Sequence, residues 1–274
     1  MTTDAAPHAV EAPPRHWWSP VAIVRSLQFW QVSLFVGVVL FWHFAVQVNV
    51  LPKFFFGEPV KIFWIIVGWF QSGYIYEHLL VTLIETLLAY VIGTVLGVVI
   101  GLWLGLSPRV ARLIDPYLKA FNAMPRVVMA PIFSVWFGLT IASKVALGVT
   151  LVFFLVFFNV VAGVRDANPT VLNSARMLGA SRAQLVRYFY IPSAMTWVFS
   201  SLHASIGMAF VGAVIGEYLG SARGIGYIIL LAESVFDINA VFAGLIVLTV
   251  VALALDALVT VLERRVLAWR PAAS

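Results

Sequence analysis

The chain has 274 residues, 62% of them hydrophobic and only 11% charged, with a mean hydropathy of +0.99. Soluble domains carry about 45–50% apolar and about 25% charged residues, so a water-soluble fold is excluded. The absence of cysteine rules out a disulfide framework, a thiol nucleophile and a cysteine metal site, and the net charge of +5 resides beside apolar runs, which argues against nucleic-acid binding.

The N-terminal MTTDAAPHAVEAPPRHWW mixes acid with proline and lacks the basic-then-apolar layout of a signal peptide, so a retained, irregular tail is expected. Ser19-Pro20 then starts a helix with proline at its first position. VAIVRSLQFW is expected to lie on the membrane surface, with Trp17, Trp18 and Trp30 at headgroup depth. A spanning helix needs about 20 apolar residues, and runs near 31–50, 79–106, 127–141, 142–164, 193–216 and 239–262 predict six spans. GEPVKIFWIIVGWF, residues 57–70, is short and flanked by charge, which predicts an external interfacial helix. The other reading, a re-entrant or seventh span, would reverse every later loop. In the second span, Gly93, Gly97, Gly101 and Gly105 recur every four residues and share one face. A second helix can therefore approach closely, belonging either to this chain or to a second copy.

The basic residues test the orientation. Arg15, Arg25, Arg109, Arg112, Lys119, Arg126, Arg165, Arg176, Arg182, Arg187, Arg264, Arg265 and Arg270 fall in one set of loops; Lys53, Lys61, Lys144 and Arg223 fall on the other side. The basic excess marks the cytoplasmic side, which places both termini and the 107–126 and 165–192 loops there.

The 165–192 loop is far longer than a connection needs. Asn168-Pro169 caps a short helix that reaches Leu178, and Gly179 suits a left-handed stop. Ser181-Arg182-Ala183-Gln184 fits a capping box for a second helix through Tyr190, with Pro192 opening span five. Such a helix–break–helix unit invites a docking partner.

A-R-x-L-G-A-S followed by I-P, with Ala175, Gly179 and Ile191-Pro192 in place, resembles the cytoplasmic loop of bacterial ATP-binding-cassette importer permeases. LP at 51–52, EPV at 58–60, SG at 72–73, HLLVTL at 78–83, MPRVVMAPIFSVWFG at 124–138 and GEYLGSARGIGY at 216–227 are similar to the nitrate/sulfonate/taurine branch. The resemblance covers about residues 33–267. It implies an all-α type I importer permease fold with a coupling-helix loop, a second permease copy, two cytoplasmic ATP-binding subunits and an external solute-binding protein. It also implies that ATP and Mg belong to the partner ATPase, with no cofactor on this chain. Asn173, Ser174, Ala175, Arg176, Met177, Leu178, Gly179, Ala180 and Arg182 would then form the ATPase-coupling interface. Asn173 and Ser174 depart from the family's usual glutamate and alanine, and Glu85 stands where relatives often carry arginine.

Within the spans, Glu85, Asn159, His203, Ser205 and Asp256 are polar. Glu85 reads either as a functional carboxylate or as a residue near the outer interface paired with Lys144 or His78. His203 and Ser205 either face the translocation pathway or bond a neighbouring helix. Glu217, with Tyr218 and Arg223, is a candidate for the outer gate. No P-loop, H-E-x-x-H or G-x-S-x-G is present, so ATP hydrolysis by the chain itself is not expected. The expected domains are a cytoplasmic tail with an interfacial helix (1–30), a permease domain (31–267) and a cytoplasmic tail (268–274). The expected function is the pore-forming subunit of a bacterial inner-membrane importer of nitrate, a sulfonate, taurine or another small organic anion. An ATP-independent transporter or channel subunit is the alternative.

Overall fold

In the computed structural model the backbone is described over residues 20–266 and the side chains over 27–261. The expected terminal tails and Trp17, Trp18, Arg15 and Arg270 lie outside the described residues. By its contacts the chain divides into two compact units, with the division between Val60 and Lys61.

In the first unit, α1 (Pro20–Gln47) is one helix of 28 residues. The surface helix expected at 20–30 and the span expected at 31–50 are therefore continuous, because no glycine pair or proline interrupts the run between them. Asn49 leaves the helix with φ 59°, and the short α2 (Lys53–Phe56) folds back so that Trp42 Nε1 donates to the Phe56 carbonyl at 3.2 Å.

α3 (Pro59–Gln71), all but its first two residues in the second unit, has 13 residues, about 20 Å of helix. That is short of the roughly 30 Å of hydrocarbon in a bilayer. After Gly73, at φ 79°, α4 (Tyr74–Gly105) runs for 32 residues, and α7 (Ile141–Arg165) lies against it. The glycine ridge dictates this contact. A Cβ on Gly93, Gly97, Gly101 or Gly105 would stand 2.7, 2.8, 2.8 and 3.0 Å from the Cβ of Val152, Val156, Val160 and Val164 respectively. Both series ascend together in steps of four, so α4 and α7 run parallel. α10 (Ile191–Gly220) packs antiparallel to them: Gly212 meets Gly148, Gly216 meets Lys144, and Gly163 meets Ala194.

Two parallel neighbours require the chain to return between them. Residues 106–140 do this with α5 (Pro108–Ala123), a 3-10 turn (Arg126–Met129) and α6 (Ala130–Phe137), the two arms bent by 86°. The straight span expected at 127–141 is corrected: α6 has only 8 residues. Met124 precedes Pro125 and is driven to extended backbone, φ −68° and ψ 132°, which breaks the helix at that point. Among the described residues, five helices are long and apolar enough to cross a membrane, or six if the bent pair counts as one.

Beyond α10, the chain turns into α11 (Ile225–Ser234), which has no counterpart in the expected spans, and α12 (Ile238–Val266). Ile75, Ile206, Phe210, Ile225, Ile228 and Val247 from α4, α10, α11 and α12 form the largest apolar cluster.

Replacing Gly97 by valine drives a branched side chain into Val156 and the Phe153 carbonyl. We expect it to destabilise the purified chain by about 1–3 kcal/mol, read as a lower Tm. Gly97→Ala, which adds one methyl against the Val156 Cβ and no branched atoms, should cost less than valine but still lower the Tm.

Candidate functional site

The candidate residues gather mainly at the two ends of the second unit. At the end where α7 stops, the α8 helix (Pro169–Met177) is capped by Asn168, whose Oδ1 accepts from the Thr170 and Val171 amides at 2.9 and 3.4 Å. It stops in a Schellman motif: the Gly179 amide donates to the Arg176 carbonyl and the Ala180 amide to the Ala175 carbonyl, both at 3.0 Å. Gly179 adopts φ +86° with open space around its α-carbon, so backbone conformation alone, not crowding, favours glycine there, with asparagine next best.

Ser181 and Gln184 then complete a reciprocal capping box for α9 (Arg182–Leu185). The second short helix does not end at Tyr190 as expected. A single π turn, Val186–Tyr190, carries it directly into α10. The wider turn accommodates Pro192, which lacks an N–H and crowds the preceding carbonyls. Ser193 Oγ donates to the Gly163 carbonyl at 2.7 Å and ties α10 to the end of α7.

The loop thus has every terminus satisfied. Leu172 and Leu185 are buried beneath it, and Ser174, Ala175, Ala180 and Arg182 lie along its backbone. Met177 and Leu178 stand out, 83% and 89% exposed, with Val171 beside them at 45%. Arg176 Nη1 donates to Asn173 Oδ1 at 3.0 Å, so Asn173 is engaged within α8.

At the opposite end, charge is buried. Glu217 of α10 and Glu85 of α4 are 0% and 1% exposed, and Lys144 of α7 is 1% exposed. Glu217 Oε1 accepts from the Thr82 hydroxyl at 2.6 Å and Oε2 from the Gly226 amide at 2.7 Å. The Ile225 amide donates to Thr82 Oγ1 at 3.0 Å, and the Gly224 amide to His78 Nδ1 at 3.1 Å. One carboxylate and two α4 side chains thereby clamp the turn between α10 and α11.

The turn must be glycine. A Cβ on Gly224 would lie 2.1 Å from Glu217 Cδ, and one on Gly226 would lie 2.6 Å from the Val214 carbonyl. Of Glu85's two candidate partners, His78 is taken up by the Gly224 amide, and Glu85 faces Glu217 and Lys144. Its Oε2 and Lys144 Nζ are buried without a hydrogen-bond partner. Around this core, Arg223 pairs with Glu77 at 2.9 Å, and the Tyr218 hydroxyl donates to Glu233.

His203 and Ser205 do not join either group. His203 Nε2 lies 2.9 Å from Thr260 Oγ1 and bridges α10 to α12. Ser205 is 0% exposed, its hydroxyl donating to the Ser201 carbonyl at 2.7 Å.

Sequence reasoning missed Thr82, Gly224 and Gly226 as parts of one clamp; their signals were the threonine in HLLVTL and the G-x-G of RGIGY. It also counted Arg126 as a loop residue. Arg126 instead sits at the 86° bend, its guanidinium 4.9 Å from the Phe154 ring at the middle of α7.

A family model described as binding-protein-dependent transport system inner membrane component matches residues 93–268. The chain is 32% identical to a putative aliphatic sulfonates transport permease protein of Bacillus subtilis, over 93% of this chain and 89% of that one. It is 33% identical to a riboflavin transport system permease protein of Chloroflexus aurantiacus, over 90% and 94%. The fold matches a crystal structure of an amino acid ABC transporter with a TM-score of 0.58 at 20% identity, covering 72% of this chain and 95% of that one. A glycine-seamed helical bundle, a doubly capped loop between its spans and these matches agree: the chain belongs to the binding-protein-dependent transport system inner membrane components, the permease subunits of ABC importers.

Proposed function

We propose that the loop formed by α8, Gly179 and α9 receives a cytoplasmic ATP-binding subunit and transmits its movement to the spans. The observation that carries this reading is the rigid presentation of Met177 and Leu178, two bare apolar side chains on a loop whose own polar groups are satisfied. Exposed apolar anchors within a fixed backbone are what a groove on a partner recognises. α9 continues into α10 without a break, so a push on the loop reaches a spanning helix directly.

The basic excess supports placing this loop and both termini in the cytoplasm of the bacterial inner membrane. A second permease copy and an external solute-binding protein complete the assembly that the family implies. ATP and Mg would sit on the ATP-binding subunits, and no chemical step falls to this chain.

The buried clamp lies at the other end and belongs to the outer gate on this reading. Glu217 and Thr82 hold the α10–α11 turn against α4, with Glu85 and Lys144 behind them. We assign the solute to small organic or inorganic anions, such as nitrate, a sulfonate or taurine. One relative's name specifies aliphatic sulfonates, and Arg126 puts a cation at mid-depth of the bundle. His203 and Ser205 serve helix packing in this arrangement.

Two outcomes are expected. Gly179→Val forces a β-branched residue into the left-handed region at about 1–2 kcal/mol, distorting the loop without touching the bundle. Membrane insertion should be unchanged, while co-purification of the ATP-binding subunit and solute uptake are lost; Gly179→Asn should retain both. Normal uptake by Gly179→Val refutes the coupling role.

Thr82→Val leaves a buried carboxylate oxygen and the Ile225 amide without partners, at about 1–3 kcal/mol for each group. It should lower the Tm and raise ATPase activity in the absence of binding protein, with Thr82→Ser close to the parent. A lowered Tm with unchanged basal ATPase activity would make the clamp structural only.

A further inference from the structure

A cavity of about 560 Å³ lies between the same loop and the ends of α4 and α7, within the roughly 300–1,000 Å³ range of small-molecule sites. Its wall combines Arg165 from the end of α7, Arg176 from α8 and Arg182 from α9 with the apolar side chains of Val164, Leu172 and Leu185. Tyr190 adds a phenol, and no acidic side chain lines the cavity. Among the described residues, none of the three guanidiniums is in an ion pair.

Three unneutralised cations around one cavity repel one another, and an anion in their midst removes that cost. The apolar groups distinguish the cavity from a purely ionic site. Gly105 and Leu106, where α4 ends, also line it, which sets it at the ends of two spans. Basic pockets at that depth suit phospholipid headgroups, with the phosphate on the arginines and the glycerol and upper acyl carbons on the aliphatic wall.

We propose that Arg165, Arg176 and Arg182 form a binding site for the phosphate of an anionic phospholipid. The occupied site would brace the coupling loop against the ends of α4 and α7 from beneath, while Met177 and Leu178 remain free on the other side for the ATP-binding subunit. The site does not depend on the coupling assignment, since the loop can hold a lipid whether or not an ATPase docks on it.

The test is native mass spectrometry of the full chain, purified in neutral detergent and titrated with phosphatidylglycerol, phosphatidylcholine or inorganic phosphate. The parent should retain phosphatidylglycerol in preference to phosphatidylcholine. Arg165→Gln/Arg176→Gln/Arg182→Gln together should weaken retention on the order of 100-fold, at about fivefold for each surface cation removed. The triple lysine variant should keep most of the affinity. Arg109→Gln/Arg187→Gln, outside the cavity, should match the parent, and all variants should elute as the parent does in size exclusion.

Displacement of the lipid by millimolar inorganic phosphate, dependent on the three arginines, would support the phosphate site and identify soluble phosphate as a second source. Failure of phosphate to compete would support the lipid as the sole source. Equal phosphatidylglycerol retention by the parent and the triple glutamine variant overturns the proposal. So does a triple variant that keeps its lipid but loses the ATP-binding subunit, which would give the arginines to a protein partner.

Discussion

The close parallel contact of α4 with α7 is the constraint from which the rest of the bundle follows. Lipid supplies no hydrophobic push between helices, so contact must come from shape. Four glycines opposite four valines allow the two backbones to approach until even a methyl group would collide. Parallel neighbours then compel residues 106–140 to recross, and the Met124-Pro125 step makes that return a bent one. α10 completes the layer by laying Gly212 and Gly216 against α7.

This arrangement assigns each end of α7 a different chemistry. At its start, Lys144 is enclosed with Glu85 and Glu217, in a place where every hydrogen bond counts because no water competes. The Glu217 carboxylate of α10 accepts one bond from α4 and one from the first turn of α11, so it joins three helices through two oxygens. At its end, Arg165 opens into a loop whose backbone is self-sufficient and whose Met177 and Leu178 side chains face outward. A gate needs interactions that hold until they are broken, whereas a coupling element needs a fixed shape with free anchors. The two ends differ in that way.

Much of the loop was legible in the residues, because cap chemistry is local. Asn168-Pro169, Gly179 and the Ser181–Gln184 box each act within four residues, and each occurs where its spacing predicts. The glycine ridge was equally legible as a face, but its partner was not, since nothing in α4 names the valines of α7. Hydropathy found the long spans and failed where apolar residues coincide with a broken backbone: 127–141 is greasy enough to cross, yet it forms a turn and an 8-residue helix.

The clamp was hardest to read. Thr82, Glu85, Lys144, Glu217 and Gly226 are scattered over more than 140 positions and meet only through tertiary packing. Arg126 was misread for a similar reason: charge counting assigns a side, and a bend at mid-depth belongs to neither.

The account turns on whether the α8–α9 loop touches an ATP-binding subunit. The chain contains no cysteine, so Leu178→Cys installs a unique thiol at a loop position that is 89% exposed. Cross-linking that thiol in native membranes with a short cysteine–lysine reagent, and identifying the adduct by mass spectrometry, is the most direct measurement. The account predicts one adduct, with a P-loop ATPase, and none from Val235→Cys at the opposite end of the bundle. An ATPase adduct from position 235 with none from position 178 would contradict it.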